Sequence, residues 1–253
     1  MGPLDPVSLA LLVTTALLAG FIDSIAGGGG LLTLPALALA GLDPISAVAT
    51  NKLQGAFGSG SATLAFARAG HLEAKTIWPL MAASGGGSVF GALLLSHVPL
   101  GFAHMVLPVV LVAVAVYFSF SPALADRDAR QRLSRSAFTI FVAPAIGCYD
   151  GVFGPGAGSF FMLGFVELLG YAAVRAAAHT RAVNFASNFA ALIIFSLSGH
   201  ILWPAGLAMG GAQFVGARLG AGATMRNGAR VVKPLLVTMC VVMAVRLAWS
   251  SWA

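Results

Sequence analysis

Residues 20–30, GFIDSIAGGGG, set an aspartate and four consecutive glycines directly behind an apolar run, where a helix ought to continue. Glycine tolerates positive φ and lets a ligand or another backbone approach closely. Gly27, Gly28 and Gly29 are therefore read as a helix break, with Asp23 one turn before it. The chain repeats this feature. GCYDGVFGPGA, residues 147–157, aligns Asp150 with Asp23, and Gly154 and Gly156 with Gly27 and Gly29.

Further matches follow in the same order. NKLQGAFGSGSA (51–62) aligns with TRAVNFASNFAA (180–191), pairing Lys52 with Arg181; AGHL and SGHI pair His71 with His200; WPLMAASGGGSVFGA (78–92) aligns with WPAGLAMGGAQFVGA (203–217). Such order across separated segments indicates one duplication. The repeats span residues 1–120 and 137–253. The polar stretch SPALADRDARQRLSRS, residues 121–136, links them with four arginines and two aspartates.

Composition names the solvent. Apolar residues make up 58% of the 253 and charged residues 9%, with a mean hydropathy of +0.92. Fourteen basic and eight acidic side chains cannot cover a soluble domain of this size, whose charged share is usually about 25%. The chain is read as an all-α integral membrane protein, a polytopic bundle of 8–10 transmembrane segments. The net charge of +6 lies mainly in short connections, which is a topological pattern and argues against a nucleic-acid partner. Cys148 and Cys240 sit in apolar segments and read as free core thiols. The N-terminal apolar run has no positive region before it, so it is expected to be a retained span and not a cleaved signal.

A spanning helix needs about 20 mainly apolar residues. Spans are expected at 7–26, 45–67, 76–96, 101–120, 136–153, 175–198, 203–221 and 233–250, with shorter apolar pieces at 30–40 and 157–170. If the short pieces cross, each repeat has five crossings. The linker, the Arg68–Lys75 loop and the 226–233 loop then share the cytoplasmic face, the N-terminus lies outside, and the repeat is inverted. If they are re-entrant, the 226–233 loop falls outside against its charge. The first arrangement fits the positive charges better.

A charge at the bilayer centre costs about 2.5–3.5 kcal/mol on insertion scales, so the few that occur are informative. Asp23 and Asp150 adjoin the breaks. Breaks at corresponding places in two halves point to a transporter's binding site, and helices restarting after them would aim N–H groups at an anion. Lys52 sits among Thr50, Asn51 and Gln54, and Arg181 among Thr180, Asn184, Ser187 and Asn188. Asn184 and Asn188, three and seven residues beyond Arg181, share its helix face. Asn51, Lys52, Gln54, Thr180, Arg181, Asn184 and Asn188 are the candidate anion contacts; Asp23, Asp150 and the glycines are candidates for coupling or gating. The bland alternatives are glycines that only permit close helix packing, and a core of ion pairs, Asp23 with Lys52 and Asp150 with Arg181. Trp78 and Trp203, each before a proline, read as interfacial anchors, Arg218 and Arg246 as snorkelling side chains, and Glu167 has no evident partner.

Other chemistries find no support. No Gly-Lys-Ser or Gly-Lys-Thr follows the glycines, and HExxH, GxSxG and CxxC are absent, so no nucleotide, metal or other cofactor is expected. A carrier ranks above an anion channel, and both above a membrane-embedded enzyme. Small residues on many helices would permit a homodimer.

The chain resembles the TauE/SafE family of membrane permeases, the sulfite exporters. The likeness rests on DSIAGGGGLLTLP, ATNKLQGAFGSGSA, GVFGPGAG, TRAVNFASN and GGAQFVGARLG, which together reach across both repeats. The family often has lysine where this chain has Arg181. The resemblance implies transport of sulfite, or of sulfonates such as sulfoacetate, across a bacterial inner membrane by alternating access. It also implies substrate contacts at Asn51, Lys52, Arg181, Asn184 and Asn188, with Asp23 and Asp150 coupling protons or positioning the basic residues.

Overall fold

Two Asp-Pro pairs start helices. Asp5 accepts a hydrogen bond from Ser8 N at 2.6 Å, and Asp43 accepts from Ile45 N and Ser46 N at 3.1 and 3.0 Å. Each aspartate satisfies N–H groups that the first turn leaves free, and the following proline has no N–H to lose. Partial burial favours the neutral acid at Asp43, yet the hydrogen bonds from Ser46 and Ile45 outweigh it and hold the carboxyl below its ordinary range.

The structure is a computed structural model that describes residues 5–96, 128–228 and 230. All regular elements among the described residues are helical: α1 (Pro6–Ala26), α2 (Gly29–Leu39), α3 (Pro44–Arg68), α4 (Ala74–Ser96), α5 (Arg135–Ala137, a π turn Phe138–Val142, then Ala143–Val152), α6 (Ala157–Leu168), α7 (Ala173–Ser198) and α8 (Trp203–Asn227). Six expected spans match helices; those at 101–120 and 233–250 lie outside the described residues, as do Cys240 and Arg246.

The breaks lie where the duplicated glycines stand. Gly27 and Gly28 have φ of 85° and 90°, and Gly154 and Gly156 have 87° and 76°, a region that strains any residue with a Cβ. The chain then doubles back. Ala36, Leu39 and Ala40 of α2 line the same crevice as Ser8, Leu11 and Leu12 of α1. Leu168 O, at the end of α6, accepts from Arg132 N and Leu133 N beside the start of α5, both at 2.9 Å. Each broken pair is thus a hairpin that leaves by the end it entered. The first tip is covered by protein, with Ser24 to Gly29 all buried, as freed backbone groups require in lipid.

This arrangement differs from both expected topologies. The helix before the break and the short piece after it form one re-entrant unit with no net crossing. The described residues of the three basic connections therefore still meet at one end, although the short pieces do not span. That basic end gathers Arg68, Lys75, Arg130, Arg132, Arg135, Arg175 and Arg226, where α3, α6 and α8 finish and α4, α5 and α7 begin. Asp5, Asp43 and His200 mark the other end.

Contacts fix the helix directions. Gly216 meets Leu17 and Gly220 meets Phe21, so α8 runs parallel to α1; Gly206 meets Leu53 and Gly210 meets Phe57, so it also parallels α3. Ser84 Oγ donates to Val183 O at 3.0 Å and Ser88 Oγ to Ser187 O at 2.7 Å, so α4 parallels α7. Gly55 meets Asn188 and Gly60 meets Phe185, so α3 and α7 are antiparallel. The first helix of each half packs on the fourth helix of the other, α1 on α8 and α5 on α4.

Burial is reversed relative to a soluble domain. Val7, Leu11, Phe90, Phe141, Leu197 and Leu219 are exposed, whereas Asp23, Lys52, Asp150 and Arg181 are buried. One apolar cluster, around Phe66, Phe138, Phe161 and Phe165, fills the basic end; another, around Leu12, Leu37, Val48 and Phe195, fills the opposite end. The polar residues lie between them.

Small residues make the two seams, since a Cβ on Gly151 or Gly216 would run into Ser88 O or Leu17 O. Gly151→Val and Gly216→Val are each expected to destabilise by at least about 1–3 kcal/mol through overpacking. Gly222→Ala, where a Cβ meets nothing within 4 Å, is expected to leave the melting temperature unchanged or slightly higher. Thermal unfolding of the three variants in detergent tests this.

Candidate functional site

Asp23 stands in the last turns of α1, inside the hairpin. Its Oδ1 accepts from Gly29 N, the start of α2, at 2.9 Å, so the carboxylate occupies the N-terminus of the helix that follows the break. Its Oδ2 meets Arg181 Nη1 of α7 at 2.5 Å. Asp150, the counterpart on α5, meets Lys52 Nζ of α3 at 2.7 Å through Oδ1 and accepts from Ser187 Oγ through Oδ2. Each pair joins one half of the chain to the other. The within-repeat pairing of the bland alternative, Asp23 with Lys52 and Asp150 with Arg181, is not formed; the pairs are crossed. The reason is packing: α1 lies on α8 and α5 on α4, which brings each hairpin to the basic residue of the opposite half.

Lys52 is 0% exposed, Arg181 1%, Asp150 2% and Asp23 7%. Water screens none of these charges appreciably, and breaking such a pair leaves an uncompensated ion. Glycines make the approach possible. A Cβ on Gly154 would lie 2.7 Å from Lys52 Nζ, and one on Gly158 would lie 2.7 Å from Arg181 Nη2. The two tips also touch, since Ser159 Oγ donates to Ala26 O at 3.1 Å and so satisfies a carbonyl freed at the end of α1.

Between the pairs lies a small polar cavity of about 20 Å³, lined by Asp23, Gly28, Gly30, Asn51, Gly55, Asp150, Gly154, Gly156, Gly158, Asn184, Asn188 and Gln213. It has room for about one water. Asn51 Oδ1 accepts from Thr33 Oγ1 at 2.6 Å and from Gln54 Nε2 at 2.8 Å. With both lone pairs used, the Asn51 amide N–H₂ is the group left for a ligand. Asn188 Nδ2 donates to Asn184 O at 2.8 Å and to Asn184 Oδ1 at 3.1 Å, which likewise leaves the Asn184 N–H₂ free. Gln54 Oε1, Gln213 Oε1 and Arg181 Nε are buried without a partner among the described residues.

The sequence candidates thus separate. Asn51, Asn184, Asn188, Asp23, Asp150, Gly28, Gly154 and Gly156 line the cavity. Lys52 and Arg181 stand behind the carboxylates, Gln54 supports Asn51, and Gly27 and Gly29 shape the tip. Thr180 is one residue from Arg181, about 100° around the helix, and its hydroxyl faces Met162 Sδ at 3.8 Å. Gln213, Gly55, Gly158 and Thr33 also belong to the site; of these, Gln213, an amide in the apolar, glycine-rich interior of α8, carries a sequence signal. His179 is buried against the rings of Phe165 and Tyr171, outside the cavity lining. Glu167 has a partner after all, Arg132 at 3.3 Å on the surface. No cluster of potential metal ligands occurs among the described residues.

The sequence profile of the family described as "Sulfite exporter TauE/SafE" matches residues 12–247. A "Probable membrane transporter protein ORF9" of a Sinorhizobium species is 50% identical over 239 residues, covering 94% of this chain and 92% of its own length. The "Probable membrane transporter protein YfcA" of Escherichia coli K12 is 40% identical over 247 residues, 98% of this chain and 92% of its own. A "Probable membrane transporter protein" of Haemophilus influenzae is 41% identical over 243 residues, 96% and 95% respectively. No solved structure matches the chain.

The crossed pairing has a direct thermodynamic signature. Asp150→Asn, which strands Lys52, is expected to destabilise by about 3–5 kcal/mol. Adding Lys52→Met should recover most of that loss, whereas adding Arg181→Met should recover none. Denaturation of these variants in detergent micelles reads the difference.

Proposed function

The chain belongs to the TauE/SafE family of membrane transporters, and on that premise we propose that it carries small sulfur oxyanions, sulfite or sulfonates such as sulfoacetate, at the crossed charge site. The observation that carries this reading is the pair of buried cations, one from each half, beside amide N–H donors in a cavity closed at the hairpin tips. A guanidinium and an ammonium suit oxyanions. The Asn51 and Asn184 amides add donors that no protein group uses.

The site is narrow as it stands. A cavity with room for about one water does not hold a sulfite, and both cations are already engaged by carboxylates. An entering anion competes with Asp23 and Asp150 for the same N–H groups. A proton on either carboxylate releases its cation and keeps the site neutral when the anion's charge arrives, so one proton accompanies each unit of anion charge. Without it, the added charge would sit uncompensated among buried groups, which is costly.

The opposed directions of α3 and α7 support reading the halves as an inverted repeat, divided at the linker 121–136. In alternating access the halves would part first at one end and then at the other. The basic end would face the cytoplasm of a bacterial inner membrane, which sets the N-terminus outside. Tip-to-tip packing at Ser159 and Ala26 favours a carrier over an open channel, and the transporter relatives point away from an enzyme.

Flux of sulfite and of a sulfonate into proteoliposomes tests the site. Lys52→Ala and Arg181→Ala are each expected to lower flux at least about a hundredfold, the scale of losing a positioned charged donor in a dry site. Asp23→Asn, which leaves Asp150 alone of the two carboxylates to carry the proton, should retain anion binding but weaken the response to an imposed pH gradient. Undiminished flux in both cation variants would overturn the anion site.

A further inference from the structure

The basic end carries a second cavity, of about 400 Å³, between the first turns of α4 and α5, and its lining divides by chemistry. Lys75 and Arg135 supply charge, Thr76, Ser136 and Thr139 supply hydroxyls, and Pro79, Leu80 and Ile140 supply an apolar wall. We propose that this cavity binds an anionic phospholipid. The headgroup phosphate sits between Lys75 and Arg135, and an acyl chain lies along Pro79, Leu80 and Ile140.

Three observations carry it. First, the cations here are unspent. Arg132 pairs with Glu167, and Arg175 pairs with Asp128 at 3.1 Å while its guanidinium lies 4.0 Å from the centre of the Tyr171 ring. Among the described residues neither Lys75 nor Arg135 forms an ion pair. Second, both helices begin at the cavity, so two helix N-termini add partial positive charge beside the two cations. Third, the apolar side belongs to the lipid-facing surface. Ile140 is 62% exposed, and the neighbouring Phe141 and Trp78 are 70% and 66% exposed. A soluble anion needs the cations alone; a phospholipid uses the cations and the apolar wall together, and basic pockets between helices at this depth suit lipid headgroups. The inference is independent of which anion is transported.

The full-length protein, purified and delipidated in mild detergent, tests it by native mass spectrometry and by thermal unfolding with phosphatidylglycerol, with phosphatidylcholine, or with inorganic phosphate. Phosphatidylglycerol is expected to be retained and to raise the melting temperature, the other two to do neither. Lys75→Ala and Arg135→Ala, both at exposed positions, should each weaken phosphatidylglycerol retention about fivefold, and together abolish the thermal shift while leaving the lipid-free melting temperature in place. Equal retention of phosphatidylglycerol by the double variant would overturn the proposal. So would an equal shift from inorganic phosphate, which would make the cavity a soluble-anion site. Should the double variant not fold, the two single variants give the same reading.

Discussion

Two buried ion pairs, each drawn from opposite halves of the chain, are the constraint on which the rest of the structure depends. Asp23 with Arg181 and Asp150 with Lys52 place four charges in the buried interior of the protein. Such charges persist only when every one is paired. Pairing across the halves requires each hairpin tip to reach the opposite half, and this in turn requires α1 to lie on α8 and α5 on α4. The glycine seams allow those helices to approach, and the positive φ at Gly27, Gly28, Gly154 and Gly156 allows the chain to turn back inside the protein.

Seen this way, the site and the fold are one device. An element that only needed stability would do better with apolar residues of the same volume, because a buried pair rarely exceeds a hydrophobic replacement in stability. What the crossed pairs add is dependence: neither half is electrically satisfied without the other. A change of protonation or the arrival of an anion at one pair would therefore act directly on the contact between the halves, which is the contact that the proposed alternating access would open and close.

Much of this was legible in the sequence. The aligned aspartates, the glycine breaks and the exchange of Lys52 for Arg181 point to a duplication and to the residues that the structure pairs, because charges are costly in an apolar chain. The partners were not legible. A carboxylate one turn before a break is compatible with a basic residue of either half, and only the packing of α1 on α8 decides. The choice between a crossing and a re-entrant path stays open in the sequence for a related reason: an eleven-residue helix such as α2, about 16 Å long, has the same composition whether it crosses or turns back. Thr180 and Arg181 show the limit of neighbourhood arguments, since adjacent residues on a helix face different surroundings. Gln213 shows the converse, an isolated amide whose place in the site comes entirely from α8 crossing beside Gly20 and Gly58.

The most direct measurement counts charges in a single experiment. In proteoliposomes held at zero membrane potential, proton movement and the flux of a transported monovalent sulfonate are recorded together. Because the four charges of the site sum to zero, the account predicts one proton moved with each anion, a ratio that stays constant as the anion gradient is varied. Sulfonate flux at an undiminished rate with no accompanying proton would contradict it.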